Sequence, residues 1–162
     1  DPADQATIVG PMIDSANADR VVAWIEEARA SGAAVVAGGG RRRNVLEPTI
    51  LTGTQRTMKV EAEEIFGPVA TVAAVDSMDE AFARANDSRY GLQAGVFTFD
   101  VRNIAKAFEE LEVGGVICND YPTFRVDNFP YGGIKDSGFG REGVRYAMEE
   151  MTELKTLVVK YR

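Results

Sequence analysis

Apolar residues recur at helical spacing near the start of the chain. Val21, Trp24, Ile25 and Ala28 fall on one face of a helix predicted over residues 15–31, where Ser15 or Asn17 is available as the N-cap and Gly32 as the stop. The same spacing predicts three more helices: one opened by a Ser77–Glu80 capping box, one capped by Asp100 and extending to Leu111, and one over residues 144–151.

Short apolar runs between these helices have the length of strands. Strands are predicted at residues 34–37, 48–51, 69–75, 96–99, 115–118 and 154–161. The run at 69–75 is apolar enough to be buried on both faces. Alternating strands and helices predict an α/β fold with a largely parallel sheet and flanking helices, and no interdomain linker is evident.

The composition is that of a globular domain with a real core. The chain has 162 residues, of which 45% are hydrophobic and 27% charged, and its net charge is −7. This charge argues against nucleic acid as the main partner. The run Arg41–Arg43 favours a solvated basic loop. No apolar run approaches the roughly 20 residues needed to cross a bilayer, and no secretory signal is visible.

The reactive residue types are few. The one cysteine, Cys118, ends an apolar strand, and the chain has no histidine to activate it, so a core position is favoured over a nucleophile. A metal site is not expected, because no spaced carboxylate loop is present.

A single cysteine suits a reducing cytosol, so a cytoplasmic location is expected. The start at Asp1 rather than methionine predicts a piece of a longer protein.

A glycine-rich motif lies in a long irregular segment. Residues 138–143 (GFGREG) match a dinucleotide-binding turn, but neither a preceding hydrophobic strand nor a carboxylate about 20 residues later is present, so a tight loop before a helix is favoured. The whole segment 119–143 has little periodicity, and long loops of this kind in compact domains are usually functional.

Two pairs of adjacent carboxylates occur, at Glu63–Glu64 and Glu149–Glu150. Adjacent side chains point in different directions, so neither pair forms a shared-proton dyad by itself. The second pair suits a solvated helix face. The first stands at the mouth of a predicted buried strand, where a carboxylate suits either ribose hydroxyls or an ordinary loop salt bridge.

Four ordered blocks carry a family resemblance. They are residues 63–69 (EEIFGPV), 90–98 (YGLQAGVFT), 114–119 (GGVICN) and 130–142 (PYGGIKDSGFGRE). In this order and spacing they resemble the C-terminal part of the NAD(P)-dependent aldehyde dehydrogenase superfamily. Shorter likenesses at 10–13 (GPMI) and 47–50 (EPTI) extend the resemblance over nearly the whole chain.

The resemblance implies oxidation of an aldehyde to a carboxylic acid with NAD or NADP, through a cysteine thiohemiacetal and thioester. It implies that Glu64 accepts hydrogen bonds from the nicotinamide ribose and that Phe66 packs near the nicotinamide. A positional error of about 1 Å can cost about 100-fold in rate, so a stiff Gly-Pro break beside them is physically sensible. Glu63 is assigned no role.

Further positions match the family with other roles. Tyr131 matches an aromatic of the aldehyde tunnel that is commonly phenylalanine. Phe124 and Arg125 fall on the tunnel wall, where Arg125 suits an anionic aldehyde or an internal pair with Asp120 or Asp127.

Two glutamates complete the implied set. Glu142 matches a carboxylate of a possible proton path, with an ion pair to Arg141 or another basic neighbour as the alternative. Glu153 matches a residue that ties the loop to the subunit interface.

The family's nucleophile, general base and dinucleotide-binding domain find no match in this chain, so it is expected to contain no catalytic residue of its own and to be inactive alone. Residues 1–153 are expected to form the C-terminal portion of the catalytic domain and residues 154–162 an oligomerisation strand, which implies a homodimer or homotetramer. A free-standing noncatalytic oligomerisation or binding module is the alternative.

Overall fold

The chain divides into two units of tertiary structure, Asp1–Ala74 and Val75–Arg162. The computed structural model describes all 162 residues. The boundary lies inside the segment predicted as one strand, 69–75, which explains why composition gave no sign of a linker.

The first unit is organised around its long helix. Helix α1 (Ser15–Ala30) is capped by Asp14, whose side chain accepts a hydrogen bond from the Asn17 N–H at 2.7 Å, so neither predicted cap residue is the actual one. This bond, together with the Asn17 side-chain amide, holds the pKa of Asp14 below its ordinary value. Gly32, at a φ of 103°, follows the helix as predicted.

Two sheets complete the first unit. Its elements are β1 (Ala34–Ala37), β2 (Arg41–Arg42), β3 (Val45–Leu46), β4 (Thr49–Thr52), α2 (Lys59–Ala62) and β5 (Val69–Val72). Strand β4 lies between β1, to which it is antiparallel, and β5, to which it is parallel. Strands β2 and β3 form a hairpin, so the arginine run is partly strand, and Arg41 pairs with Asp19.

Helix α1 and β4 supply the centre of this unit's core. Val21 and Leu51 are fully buried there, and Ile25, Ala28 and Met58 join them. The prediction of a strand buried on both faces is wrong for β5. It spans only four residues and alternates half-buried and exposed, because only one of its faces meets the core.

The second unit has three helices and four short strands. They are α3 (Met78–Asn86), β6 (Tyr90–Gly91), β7 (Gln93–Val96), α4 (Val101–Glu110), β8 (Gly115–Cys118), β9 (Ile134–Lys135) and α5 (Val144–Met151). Strands β7 and β8 are parallel, and β6 and β9 are antiparallel. Their core contains Phe82, Val96, Ala107 and Leu111.

The predicted N-caps of α3 and α4 are confirmed. Ser77 Oγ accepts the Glu80 N–H at 3.2 Å, and Asp100 accepts the Arg102 N–H at 2.9 Å. The Glu80 carboxylate accepts from the N–H of Asp76, one residue before the cap. The Arg102 side chain and its N–H hold the pKa of Asp100 below its ordinary value.

The α/β class is confirmed, with mixed rather than largely parallel sheets. The strand predicted at 96–99 lies three residues earlier, at β7, and Phe97 and Phe99 after it are exposed. Residues 154–161, predicted as a strand, pair with no strand in this chain.

No helix has the length and apolar character needed to cross a membrane.

Candidate functional site

The segment 64–66 connects α2 to the start of β5 and presents an unusual backbone. Phe66 has a φ of 45° although it is not glycine, and 70% of its surface is exposed. A bulky residue in this region of φ is a genuine outlier, and such residues concentrate at ligand-binding positions. An exposed aromatic ring held in this way marks the segment as a candidate site.

Side chains of helix α1 contact the residues beside Phe66 and hold the segment 64–66 in place. Arg20 donates from Nη2 to the carbonyl oxygen of Ile65 at 2.9 Å, and its guanidinium stacks 4.9 Å from the centre of the Trp24 ring. Gly67 lies so close to α1 that a Cβ added there would be 2.9 Å from Cγ2 of Val21. Adjacent residues of one helix, Arg20 and Val21, therefore position the residues on either side of Phe66.

Glu64 is exposed, and its carboxylate makes no hydrogen bond or ion pair. Glu64 therefore forms no loop salt bridge within this chain. Glu64 and Phe66 line a cavity of about 490 Å³ whose other lining residues are Pro11, Met12, Ile13, Asn17 and Arg20. A free carboxylate beside an exposed ring can accept hydrogen bonds from a diol while the ring packs on a flat apolar group.

In the second unit, the three predicted tunnel residues lie around one cavity of about 460 Å³. Phe124, Arg125 and Tyr131 line it together with Gln93, Val116, Ile117, Cys118, Asp120, Phe129 and others. Apolar and aromatic side chains dominate the wall. Arg125 is the one positive charge on it and Asp120 the one negative charge.

Arg125 is held by two neighbours. Its Nη2 donates to Oε2 of Glu142 at 2.7 Å, and its guanidinium lies 4.5 Å from the centre of the Tyr131 ring. Tyr131 and Glu142 are themselves paired through their backbones, with N···O distances of 3.1 and 2.6 Å. The three residues form one cluster, called here the Arg125 cluster.

This arrangement decides between the predicted ion pairs. Arg125 pairs with Glu142 and with neither Asp120 nor Asp127. Glu142 pairs with Arg125, the other basic neighbour, rather than with Arg141. Arg141 instead donates to the carbonyls of Gly133 and Gly140 at 3.0 and 2.6 Å, which holds the glycine-rich loop.

Two cavity residues have positions that the sequence did not predict. Cys118 is half-buried at the wall rather than fully in the core, because β8 ends at the cavity. Gln93 in the neighbouring strand was missed as a functional residue. Its amide donates to the Phe124 carbonyl at 3.1 Å and so anchors the loop that carries Arg125. A polar residue opening an otherwise apolar strand was the available signal.

Glu153 lies in the exposed segment after α5 and has no side-chain hydrogen bond or ion pair within this chain. Its role at a subunit interface stays a prediction.

Comparison with known proteins identifies the family. A sequence profile described as "Aldehyde dehydrogenase family" matches residues 1–157. The 3-sulfolactaldehyde dehydrogenase of Priestia aryabhattai is 49% identical over 158 residues, which is 98% of this chain and 33% of that protein. The chain belongs to the aldehyde dehydrogenase family, and it spans about a third of the length of the curated relatives it matches.

Solved structures agree with this assignment. Aldehyde dehydrogenase 21 from Physcomitrella patens, in complex with the reaction product succinate, has a TM-score of 0.94 and 45% identity over 98% of this chain and 33% of its own. Glyceraldehyde-3-phosphate dehydrogenase from Methanocaldococcus jannaschii, complexed with NADP, has a TM-score of 0.90 and 41% identity over 98% and 34%.

Proposed function

We propose that this chain is the C-terminal part of a cytoplasmic NAD(P)-dependent aldehyde dehydrogenase, which oxidises a small aldehyde to the carboxylic acid. In this proposal the chain supplies a cofactor contact and part of the substrate wall. The thiol that forms the thiohemiacetal and thioester, and most of the cofactor site, belong to a part of the protein outside these 162 residues. Family membership and the geometry around Glu64 and Phe66 support the proposal.

The residues of the first unit fit one end of the cofactor. NAD(P)⁺ would supply the acceptor for the hydride that leaves the aldehyde carbon. Glu64 has both carboxylate oxygens available for ribose hydroxyls, and Phe66 presents an exposed ring two residues away. Arg20 and Gly67 hold the backbone between and beside them, so the two contacts would be positioned before binding rather than ordered by it.

The test uses Glu64→Gln and Phe66→Ala in the protein encoded by the complete reading frame. We expect each variant to lower the hydride-transfer rate or the affinity for NAD⁺ or NADP⁺ by about 10- to 100-fold, since looser placement of the nicotinamide weakens the reactive geometry. Single-turnover absorbance at 340 nm reports the rate, and calorimetric titration of the cofactor reports the affinity.

Matched controls are available within the chain. Glu109 is exposed and unpaired on α4, and Phe139 is a fully exposed ring, so Glu109→Gln and Phe139→Ala should leave both measurements unchanged. Unchanged kinetics and affinity in both test variants would refute the assignment. Aldehyde-dependent NADH formation by these 162 residues alone would refute the claim that the nucleophile lies elsewhere.

The substrate is proposed to be a small anionic aldehyde. Arg125 supports this, because it is the one cation on the wall of the 460 Å³ cavity and a guanidinium binds carboxylate, sulfonate or phosphate groups well. The names of similar proteins point the same way: one acts on 3-sulfolactaldehyde and another on glyceraldehyde 3-phosphate.

Arg125→Leu tests the substrate class. In the complete enzyme we expect it to lower kcat/KM for sulfoacetaldehyde about 10-fold more than for 3,3-dimethylbutanal, which carries a neutral tert-butyl group of similar size in place of the sulfonate, because it removes a charge-assisted hydrogen bond. Equal effects on the two aldehydes would refute the anionic assignment while leaving the cofactor proposal standing.

A further inference from the structure

We propose that Glu142 sets the charge selectivity of the substrate wall by partly neutralising Arg125. Glu142 is then a positioning and specificity-determining residue for aldehydes of different charge, and its removal increases the preference for anionic ones. This inference rests on the proposed function of Arg125 as the contact for an anionic substrate.

Glu142 lies beside the proposed substrate cavity rather than on its wall. A cavity of about 290 Å³ adjoins this larger cavity of about 460 Å³, and Arg125 and Tyr131 line both. Glu142 lines the smaller cavity and not the larger. Its carboxylate can therefore lower the positive potential at the guanidinium without occupying the proposed substrate cavity.

The pair of Arg125 and Glu142 is neutral overall, and Asp120 adds a negative charge to the larger cavity. An anionic aldehyde entering this cavity therefore meets a wall whose only cation is already compensated. Replacing the carboxylate of Glu142 by an uncharged group leaves a net positive pair at the same place.

The guanidinium of Arg125 should stay in place without the charge of Glu142. The Tyr131 ring lies 4.5 Å from it, and an arginine stacked on an aromatic face is stabilised independently of the carboxylate. The amide oxygen of a glutamine at position 142 can still accept the hydrogen bond that now measures 2.7 Å. The backbone pairing of residues 131 and 142 does not involve either side chain.

The experiment measures kcat/KM of the complete enzyme for sulfoacetaldehyde and for the neutral 3,3-dimethylbutanal, which is of similar size. The anionic-to-neutral ratio is the readout, because a general loss of activity through a proton path would lower both numbers and cancel. Both side chains of the pair are about half exposed, so solvent screens the effect. We expect Glu142→Gln to raise the ratio about twofold to fivefold.

The inference requires that the effect act through Arg125. In an Arg125→Leu background, Glu142→Gln should no longer change the ratio. Glu149→Gln is the matched control, since Glu149 forms an ion pair of similar length, 2.8 Å, with Arg145 on α5 of the same unit. It should leave the ratio unchanged.

The outcomes separate the two proposals. If Arg125→Leu alone does not lower the ratio, the proposed substrate contact fails. If Arg125→Leu lowers it but Glu142→Gln leaves it unchanged or lowers it, only the role of Glu142 is overturned. Glu142→Ala is a second neutral variant and should act in the same direction. Failure of both neutral variants to fold would also overturn the inference, because it would make Glu142 a requirement of the fold.

Discussion

Phe66 and Gly67 are neighbours with different backbone constraints. The sequence EEIFGPV predicted a stiff break at Gly67–Pro68, and the left-handed conformation falls on Phe66 instead. Holding a residue of this kind there costs on the order of 1–3 kcal/mol. Glycine is required at 67 for a different reason, the close approach of α1, which depends on tertiary packing and is not readable from the local sequence.

Gly67→Ala should destabilise the protein by about 1–3 kcal/mol, because the new methyl group would lie 2.9 and 3.2 Å from the two γ-carbons of Val21, which is fully buried. Urea unfolding followed by circular dichroism measures the change. Gly10→Ala is the control: nothing lies within 4 Å of its added Cβ, and it should change the stability by no more than about 0.5 kcal/mol. Equal stability of the two variants would contradict the packing argument.

The Arg125 cluster shows where residue-scale prediction from sequence stops. The resemblance placed Arg125 and Tyr131 on one wall, and the structure brings both to one cavity. The partner of Arg125 was left open among nearby aspartates, yet it is a glutamate 17 positions away. That contact depends on a single backbone bridge between irregular segments, which no periodicity reveals.

Helices were predicted better than strands because their ends carry local signals. The predicted ranges of α1, α3, α4 and α5 agree with the structure to within a few residues, since caps and apolar spacing lie within the element itself. Strand β7 was shifted and β5 was given too much burial. The position of a strand depends on its partners and on which faces are covered, and both are set by distant parts of the chain.

The cap of α1 should make stability depend on pH. Because the pKa of Asp14 is lower in the folded chain than in the unfolded one, its ionised cap stabilises the fold at pH values above its unfolded pKa of about 3.9. This stabilisation is lost as the pH falls through the folded pKa.

Asp14→Ala should therefore lower the thermal midpoint at pH 7, and the difference from the unmodified protein should shrink as the pH is lowered from about 5 to 2. Helical circular dichroism against temperature measures it. Asp14→Asn keeps an acceptor at the cap and should lose less at pH 7. A difference that is constant across this pH range would contradict a contribution from the ionised side chain.

At the scale of the whole molecule, the last segment is the most exposed apolar stretch of the chain. Leu157 and Tyr161 are 86% and 92% exposed, and Leu154, Val158 and Val159 are exposed as well. Consecutive apolar residues without a covering face are typical of an interaction surface. We therefore retain the prediction that residues 154–162 form an oligomerisation strand and that the complete protein is a homodimer or homotetramer.

Deleting residues 154–162 from the complete protein should reduce both its oligomeric state and its activity. One reason is that Glu153 would lose the following segment, which would hold it at the subunit interface. Light scattering at micromolar concentration measures the mass, and NAD(P)H formation the activity. Leu157→Asp should act in the same direction, and Arg162→Asp, a charge change at the chain end, should not. An active monomer before any deletion would refute the prediction.

The tryptophan on which Arg20 stacks, Trp24, also provides a fluorescence signal that is specific to the first unit. Trp24 is the only tryptophan in the chain, and it lies in the first unit beneath the side chain that holds the Ile65 carbonyl. Tryptophan emission therefore reports on the first unit alone, whereas the tyrosines, of which Tyr90, Tyr121, Tyr131, Tyr146 and Tyr161 all lie in the second, report on the other. Each unit therefore has its own type of chromophore, so the thermal unfolding of each unit can be followed separately without an introduced label.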